Sequence, residues 1–353
     1  MSTILPPFTC SYTPDIPELV NKLGISLVVT TYQAGKMIIL SAPTVDKLVQ
    51  LPRNFDKAMG IAVDKDKLAV ASKSEITVFK NSPTHALNYP DQPSTYDNLY
   101  LPRATYFTGS LDAHDLVYSN AGLLAVNTSF SCLALITDEF SFKPIWKPYF
   151  ISEIEPGDRC HLNGVAMLNG EPEYVTALGK TNEPKAWKPN KSNGGLIMHV
   201  PTNKILVEGL SMPHSPRIYG NKLYFLNSGK GELMTMDLNT HKTEVIKSFP
   251  YFLRGMAQFG DYLFIGLSKI RKASTSFQEL PISETATIAG IVVMYMPYNS
   301  VVGNIKFENS VEEIYDVQLL PLNRPGMAST QKDTFKRSIF TEKSSYWLVP
   351  ENN

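Results

Sequence analysis

The feature that most constrains this chain is an internal repeat of short apolar segments separated by turns. Each copy has one apolar segment, a second that ends in small polar residues, and then a third. The alternation has a period near two, and Val, Ile, Tyr and Phe are frequent, which favours strands over helices. The copies recur at roughly 40 to 60 residues, a spacing typical of propeller blades. They begin at Met59, His114, Asn163, Ser215 and Arg254, with an incomplete sixth copy at Tyr315.

The sixth copy lacks its second and third strands, because the chain after Pro321 is rich in polar residues and prolines. Two apolar stretches near the other end, 26–30 and 36–40, have the length and character of the missing strands. We expect them to pair with the inner strand at 315–319 and so close the ring without an open sheet edge. A β-sandwich is the alternative, but six copies with one internal order favour a propeller. The predicted fold is all-β, a six-bladed β-propeller closed by N-terminal strands.

Length alone would allow two domains in 353 residues, but the repeat predicts one domain over 1–353. We expect an N-terminal arm at 1–25, blades at 26–320 and a C-terminal tail at 321–353 that packs on the propeller. Lys and Arg number 33 against 33 Asp and Glu, so net charge gives no reason to expect nucleic acid or a membrane as partner. No signal-like or membrane-spanning segment and no CxxC pair is present, which favours a cytoplasmic protein.

Polar side chains recur where the inner strands begin, and these starts should line the central channel of a propeller. Three of the six histidines, His114, His161 and His214, occur at such places in consecutive blades. A lone histidine there is usually structural, whereas three together indicate a site. With a carboxylate such as Asp316, they would suit a divalent transition metal that polarises a carbonyl or activates water. Without a metal the same groups suit acid–base chemistry or ligand binding.

Basic residues are concentrated on the same face, and Arg254 stands at an inner-strand start. A guanidinium that faces the channel needs an anionic partner, so we predict a small ligand with a carboxylate or phosphate, and no nucleotide cofactor. Two enlarged turns on this face, 181–195 with Trp187 and 270–290, are candidate lids. The predicted catalytic residues are His114, His161, His214 and Asp316, the three histidines being also the candidate metal ligands. The predicted ligand-binding residues are Arg254, Asn163, Lys36, Arg53, Arg103, Arg159, Arg217, Asn227 and Lys230.

Several longer motifs carry a resemblance to a known family. They are TYQAGK at 31–36, PR at 102–103 followed by LDAHD at 111–115, DRCHLNG at 158–164, LSMPHSPR at 210–217 and EEIYDV at 312–317. In these segments the chain resembles an uncharacterised bacterial propeller family, a conserved hypothetical domain of unknown function, over nearly its whole length. At the level of fold it is also similar to lactonase- and strictosidine-synthase-like propellers, although the acidic and asparagine ligand set of the lactonases is not matched.

Three hypotheses for function follow. The first is an enzyme that acts on a small anionic substrate in the channel, with or without a metal, as a hydrolase, lyase or oxidoreductase. The second is a sensor that binds a small molecule in the same pocket without turnover. The third is a protein-interaction scaffold that uses the outer rim. We favour the enzyme over the sensor and the sensor over the scaffold, because a scaffold does not need polar groups buried in a channel.

Overall fold

The computed structural model describes residues 5–270, 277 and 279–349, and its main feature is six antiparallel sheets arranged as blades in a ring. The blades, in chain order of the complete copies, comprise blade 1, Ile61–Asp64, Lys67–Ala71, Glu75–Asn81 and Asn98–Phe107; blade 2, Ala113–Ser119, Gly122–Asn127, Cys132–Leu135 and Lys143–Trp146; blade 3, Leu162–Leu168, Glu171–Ala177, Gly195–His199 and Lys204–Leu210; blade 4, Pro213–Tyr219, Lys222–Asn227, Glu232–Asp237 and Thr243–Ser248; blade 5, Phe252–Phe259, Tyr262–Ser268, Gly290–Tyr295 and Ser300–Phe307; and blade 6, Asp316–Leu320, Ser26–Thr31, Lys36–Thr44 and Lys47–Asn54. The predicted six-bladed β-propeller is confirmed.

Blade 6 is assembled from both ends of the repeat region. Its inner strand, Asp316–Leu320, pairs antiparallel with Ser26–Thr31, from Thr30 opposite Asp316 to Ser26 opposite Leu320. The strand Ser26–Thr31 is buried at every position, because it lies between two neighbouring strands and under apolar side chains on both faces. The predicted closure by N-terminal strands is therefore confirmed, and it joins distant parts of the chain in one sheet.

The segments that flank the repeats add strands to two outer edges. Cys10–Tyr12 pairs with Ser300–Phe307 as a fifth strand of blade 5, and the helix Ile16–Leu23 buries Ile16 and Val20 nearby. Pro325–Met327 pairs in parallel with Asn98–Phe107 as a fifth strand of blade 1. Covered edges offer fewer unpaired backbone groups to other chains. The remaining described elements are the helix Pro83–Leu87, the 3-10 turns Lys188–Asn190, Ser228–Lys230, Met296–Tyr298 and Asp333–Arg337, and a hairpin of Ser338–Phe340 with Ser345–Trp347.

Hydroxyl side chains fasten neighbouring blades together near the channel. Thr30 donates to the carbonyl of Met59 at 2.5 Å, and Ser268 donates to the carbonyl of Ile314 at 3.1 Å. Both hydroxyls stand at the end of a second strand, and both carbonyls belong to the start of the next blade's inner strand. Two further blade junctions have the same contact and are described with the site below. The small polar residues that end the second segment of the repeat therefore satisfy backbone groups between blades.

Glycines let the inner strands approach one another closely below the channel mouth. A Cβ atom on Gly60 would lie 2.8 Å from the backbone of Asp115, and one on Gly255 would lie 2.6 Å from the backbone nitrogen of Val317. Gly255 also has a φ of 79°, a left-handed conformation that side chains disfavour. The contact packs blade 1 against blade 2 and blade 5 against blade 6 at this level. No helix among the described residues is long and apolar enough to span a membrane.

Candidate functional site

A cavity of about 740 Å³ opens at one mouth of the channel, on the face where the inner strands begin. Its floor and walls combine imidazoles, one guanidinium and aromatic rings. The predicted site residues that line it are His114, His161, His214 and Arg254. The other lining residues are Tyr32, Gln33, Ala34, Gly35, Asp56, Lys57, Asp112, Trp187, Met212, Phe252, Ser268, Lys269, Ile270, Phe277, Glu313 and Tyr315. The structure thus brings the three histidines and the arginine of the sequence prediction to one place.

His114 is held by the backbone and by a hydroxyl of its own blade. Asp112, two residues earlier, adopts a left-handed φ of 53°, and its carbonyl lies 2.9 Å from His114 Nδ1. Thr128 Oγ1 lies at the same distance from Nδ1 and donates its own proton to the carbonyl of Leu162 in blade 3 at 2.5 Å. A carbonyl only accepts hydrogen bonds, so Nδ1 must carry the proton. The neutral ring therefore keeps its free lone pair on Nε2.

His214 repeats this arrangement two blades further on. Met212, again two residues earlier and left-handed, accepts from His214 Nδ1 at 2.8 Å. Ser228, at 3.0 Å from Nδ1, donates to the carbonyl of Leu253 in blade 5 at 2.6 Å. The same reasoning places the proton on Nδ1 and the lone pair on Nε2. The two imidazoles are thus fixed in one tautomer by equivalent contacts of blades 2 and 4.

Both of these imidazoles are kept neutral by their surroundings. Burial lowers the pKa of His114 well below its ordinary value, and the charges of His161 and Arg254 lower it further. Burial also lowers the pKa of His214, with Arg254 as the next cause. A neutral imidazole that has Nδ1 engaged can only accept a hydrogen bond at Nε2. Neither Nε2 atom has a hydrogen-bond partner among residues 5–270, 277 and 279–349.

His161 is built differently, as one half of a carboxylate–imidazole pair. Its Nδ1 lies 2.9 Å and 3.0 Å from the two carboxylate oxygens of Asp158. The indole nitrogen of Trp187 donates to the Asp158 carboxylate at 3.1 Å, and the Trp187 ring packs on the His161 ring with centroids 4.3 Å apart. The His161 ring also meets the His114 ring edge to face, with centroids 4.7 Å apart. An imidazole oriented in this way by a carboxylate is suited to take a proton at Nε2.

The structure changes which residues of the three blades are equivalent. His114 and His214 are each the second residue of an inner strand, and the second residue of the blade 3 strand is Asn163. His161 precedes that strand and has a left-handed φ of 51°, so it reaches the cavity from a turn. Asn163 instead accepts a hydrogen bond from Thr176 at 2.6 Å and does not line the cavity. Two of the histidines are therefore equivalent, and the third is not.

Arg254 supplies the positive charge of the cavity. Its guanidinium carbon lies 3.3 Å from the centroid of the Tyr315 ring, a cation–π contact that holds the group flat against the aromatic face. Tyr315 in turn stacks on Tyr32, with centroids 5.8 Å apart. No carboxylate of the described residues forms an ion pair with Arg254. The guanidinium edges are thus available to an anionic ligand.

Asp316 lies outside this cavity, in a buried cluster deeper in the channel. Arg217 forms a two-pronged contact with Asp115, at 2.8 Å and 3.1 Å, and approaches Asp316 at 3.8 Å. Asp316 accepts from the backbone nitrogen of Ile61 at 3.0 Å, so the cluster ties blades 1, 2, 4 and 6. His114 and Asp115 point to different partners, as expected for neighbouring residues of a strand. Two predicted site residues, Asp316 and Arg217, therefore face each other here rather than the histidines.

The other predicted ligand-binding residues also lie outside the cavity. Arg53 donates to the carbonyl of Met327 at 2.7 Å and lines a second, smaller cavity of about 190 Å³. Arg159 pairs with Glu155 at 2.6 Å. Lys36 contacts Asn54, Arg103 covers the ring of Phe340, Asn227 bonds to Ser211 and Glu232, and Lys230 is exposed. Their predicted roles stay predictions without support from the geometry of the main cavity.

The metal prediction depends on how the candidate ligands are grouped. Among the described residues, no three or more His, Cys, Asp or Glu side chains are grouped so that they could hold a metal ion. Asp316 is not in the cavity, and Arg254 adds a positive charge that acts on the His114 and His214 rings. A divalent metal therefore finds little support in the geometry, and it stays a prediction for metal analysis of the purified protein.

Sequence reasoning missed Asp158 and Tyr315 as site residues, although both stand in motifs that it singled out. Asp158 is three residues before His161 in DRCHLNG, and Tyr315 begins the sixth inner-strand start. The two enlarged turns do reach the cavity, through Trp187 and Phe277, and Lys191 of one pairs with Glu279 of the other at 3.0 Å. Residues 271–276 and 278 of the second turn lie outside the described residues, and the lid role of both turns stays a prediction.

Comparisons with known proteins place the chain in a family and support the fold. The model of a family described as "Domain of unknown function (DUF4915)" matches residues 14–328. No curated protein shows a significant sequence match. A chain in the crystal structure of a nidogen/laminin complex superposes with a TM-score of 0.55 at 11% identity, over 84% of this chain and 99% of that chain, which shows the fold alone. The computationally designed Ika8 protein gives a TM-score of 0.39 at 9% identity, over 88% of this chain and 77% of that chain, and adds nothing to the assignment.

Proposed function

Because this chain belongs to the DUF4915 family, whose function is unknown, we propose its function from the chemistry of the cavity: the protein is an enzyme that performs acid–base chemistry on a small anionic substrate. Arg254 would bind the carboxylate or phosphate of the substrate, and His161 would be the general base. The observation that carries the proposal is the His161–Asp158 pair, 2.9 Å apart, facing the same cavity as an arginine without an ionic partner among the described residues.

The proton transfer would use the nitrogen of His161 that Asp158 leaves free. His161 Nε2 takes a proton from the substrate, and the electrons of the broken bond stay on the substrate as an oxyanion or enolate. The imidazolium that forms is balanced by Asp158, whose carboxylate accepts from Nδ1. The guanidinium of Arg254 would stabilise negative charge on the substrate in a site walled by aromatic rings. This division of roles needs no metal.

The proposed binding of an anion predicts a strong dependence on Arg254. We expect Arg254→Met to weaken the binding of small carboxylates and phosphates by about tenfold or more, since a charge-assisted hydrogen bond contributes about 1.5–3 kcal/mol. Titration calorimetry with hexanoate and hexyl phosphate measures this effect. Arg103→Met is the matched control, because Arg103 also packs on an aromatic ring, at 4.9 Å, but outside the cavity. Equal losses in the two variants would contradict the assignment of Arg254.

The proposed base can be tested without knowing the product. In deuterated water, reversible proton abstraction incorporates deuterium into a substrate, which mass spectrometry detects in a mixture of small carboxylates and phosphates. We expect incorporation with the unaltered protein, a loss of about 10²-fold or more in His161→Gln and an intermediate loss in Asp158→Asn. Anion binding that depends on Arg254, without exchange or turnover that depends on His161, would refute the enzyme and leave the sensor.

Cellular location and partners are proposals of the same standing. We propose a cytoplasmic location, since all three cysteines, Cys10, Cys132 and Cys160, are free thiols in the structure. We expect neither nucleic acid nor a membrane as partner, because the formal net charge of the chain is zero. A protein partner on the outer rim would be compatible with the channel chemistry and is not required by it.

A further inference from the structure

The tautomers of two imidazoles restrict what a ligand must offer to this cavity. His114 and His214 each have Nδ1 engaged by a backbone carbonyl, at 2.9 Å and 2.8 Å. Both rings are kept neutral by burial, so each presents an unshared lone pair at Nε2. A carbonyl, carboxylate or phosphate oxygen facing these lone pairs would be repelled. A ligand must instead present hydrogen-bond donors to blades 2 and 4.

The charge of Arg254 narrows the kind of donor. The guanidinium acts electrostatically on both imidazoles, so an ammonium group placed against them would be repelled by the same charge. A hydroxyl donates to an imidazole and can still accept a hydrogen bond from Arg254. We infer that the ligand is a polyhydroxylated anion, such as a sugar acid or a sugar phosphate, with hydroxyls that donate to His114 and His214. The inference rests on the proposed binding of an anion by Arg254.

The aromatic walls are compatible with a ligand of this kind. Trp187, Phe252 and Phe277 line the cavity with Met212, and together they form an apolar surface beside the imidazoles. A polyol or sugar has C–H faces between its hydroxyls, which can pack on such rings while the hydroxyls bond elsewhere. The cavity volume of about 740 Å³ is in the range of pockets that bind small molecules.

Matched pairs of probes separate the hydroxyl requirement from the anion requirement. Gluconate is compared with hexanoate, and glucose 6-phosphate with hexyl phosphate, by titration calorimetry of the full chain. We expect the hydroxylated member of at least one pair to bind about tenfold more tightly, the ratio expected from two neutral hydrogen bonds. The pair that shows the ratio identifies carboxylate or phosphate as the anionic group. Ratios below about twofold in both pairs would overturn the inference.

Variants locate the preference on the two histidines. His114→Phe and His214→Phe should each reduce the ratio to about threefold, since each removes one of two acceptors. His199→Phe is the control, because His199 bonds to Thr202 and Glu173 outside the cavity. A ratio that persists in both cavity variants would overturn the inference. If binding ignores Arg254→Met as well, the proposed function fails too, whereas Arg254 dependence with equal binding inside each pair refutes the hydroxyl requirement alone.

A measurement on the unaltered protein covers the case in which a variant does not fold. Nitrogen-15 NMR of histidine-labelled protein distinguishes a protonated ring nitrogen from one with a free lone pair. We expect His114 and His214 to show protonated Nδ1 and unprotonated Nε2 at neutral pH. Protonated Nε2 on either ring would overturn the inference, whatever the binding data show.

Discussion

Asp316 shares a buried cluster with one guanidinium and a second carboxylate, so its protonation should control how stability depends on pH. Arg217 makes its short contacts with Asp115, at 2.8 Å and 3.1 Å, and lies 3.8 Å from Asp316. Burial raises the pKa of Asp316, the charge of Asp115 raises it further, and Arg217 only partly opposes both. One positive charge serves two carboxylates, and Asp316 is the one that gains by holding a proton.

The sign of the effect follows from proton binding. The folded state holds the Asp316 proton over a pH range in which the unfolded chain has released it, because the folded-state pKa is raised. The contribution of this proton to stability is complete below the ordinary aspartate value and is lost as the pH rises through the raised value. The slope reaches at most about 1.4 kcal/mol per pH unit for one proton. Asp316→Asn mimics the protonated side chain and should remove that slope.

Urea unfolding of both proteins from about pH 5 to about pH 8 measures the difference, and the other titrating groups cancel between them. We expect the unaltered protein to lose its advantage over Asp316→Asn steadily as the pH rises. Asp115→Asn is the contrasting control, because it leaves the buried Arg217 without its two-pronged partner, at a cost of about 3–5 kcal/mol. A constant difference between the unaltered protein and Asp316→Asn across the range would refute the shared-proton reasoning.

Three further predictions concern the parts that shape the cavity. Gly255→Ala should lower the free energy of unfolding by about 2–5 kcal/mol, from its left-handed φ and a Cβ 2.6 Å from backbone, whereas Gly260→Ala, left-handed with open space around it, should cost about 1–2 kcal/mol; equal costs in urea titrations would contradict the close approach of blades 5 and 6. Thr128→Val should cost about 1–3 kcal/mol, because it leaves the Leu162 carbonyl without its donor, and a loss within about 0.3 kcal/mol would count against the hydroxyl contact between blades. Trp187→Ala, which removes a ring that is 8% exposed, should cost about 3–5 kcal/mol, against less than about 0.5 kcal/mol for Tyr298→Ala at 81% exposure; similar denaturation midpoints would show that Trp187 does not hold the cavity wall.

Alternation along the chain was sufficient to derive the propeller. A period-two pattern is a local property of a strand, and its repetition predicts blades whichever way the ring closes. The closure at Ser26–Thr31 and Asp316–Leu320 was derived from what the last copy lacked, since a propeller needs all of its blades complete. The face of the ring that holds the cavity followed as well, because strand direction decides where each inner strand begins.

The site was only partly derivable, because the start of each inner strand departs from regular pairing. Register shifts occur between Leu162 and Gly164 in blade 3 and between His214 and Arg217 in blade 4. Such irregularities turn side chains without altering the apolar pattern, so the sequence pattern could not tell that Asn163, rather than His161, is equivalent to His114. The histidines were grouped correctly by their blades, and their individual geometry depended on left-handed residues whose positions the pattern does not mark.

Tertiary structure alone decided which charges meet. The sequence identified basic residues on or near one face, and only Arg254 of the predicted ligand-binding set reaches the cavity. Arg217 instead crosses the channel to Asp115, 102 residues away in the chain, and so binds a partner of its own. Contacts between blades depend on how closely the inner strands approach and on which side chains the ring brings together, and these are properties of the closed ring rather than of any one repeat.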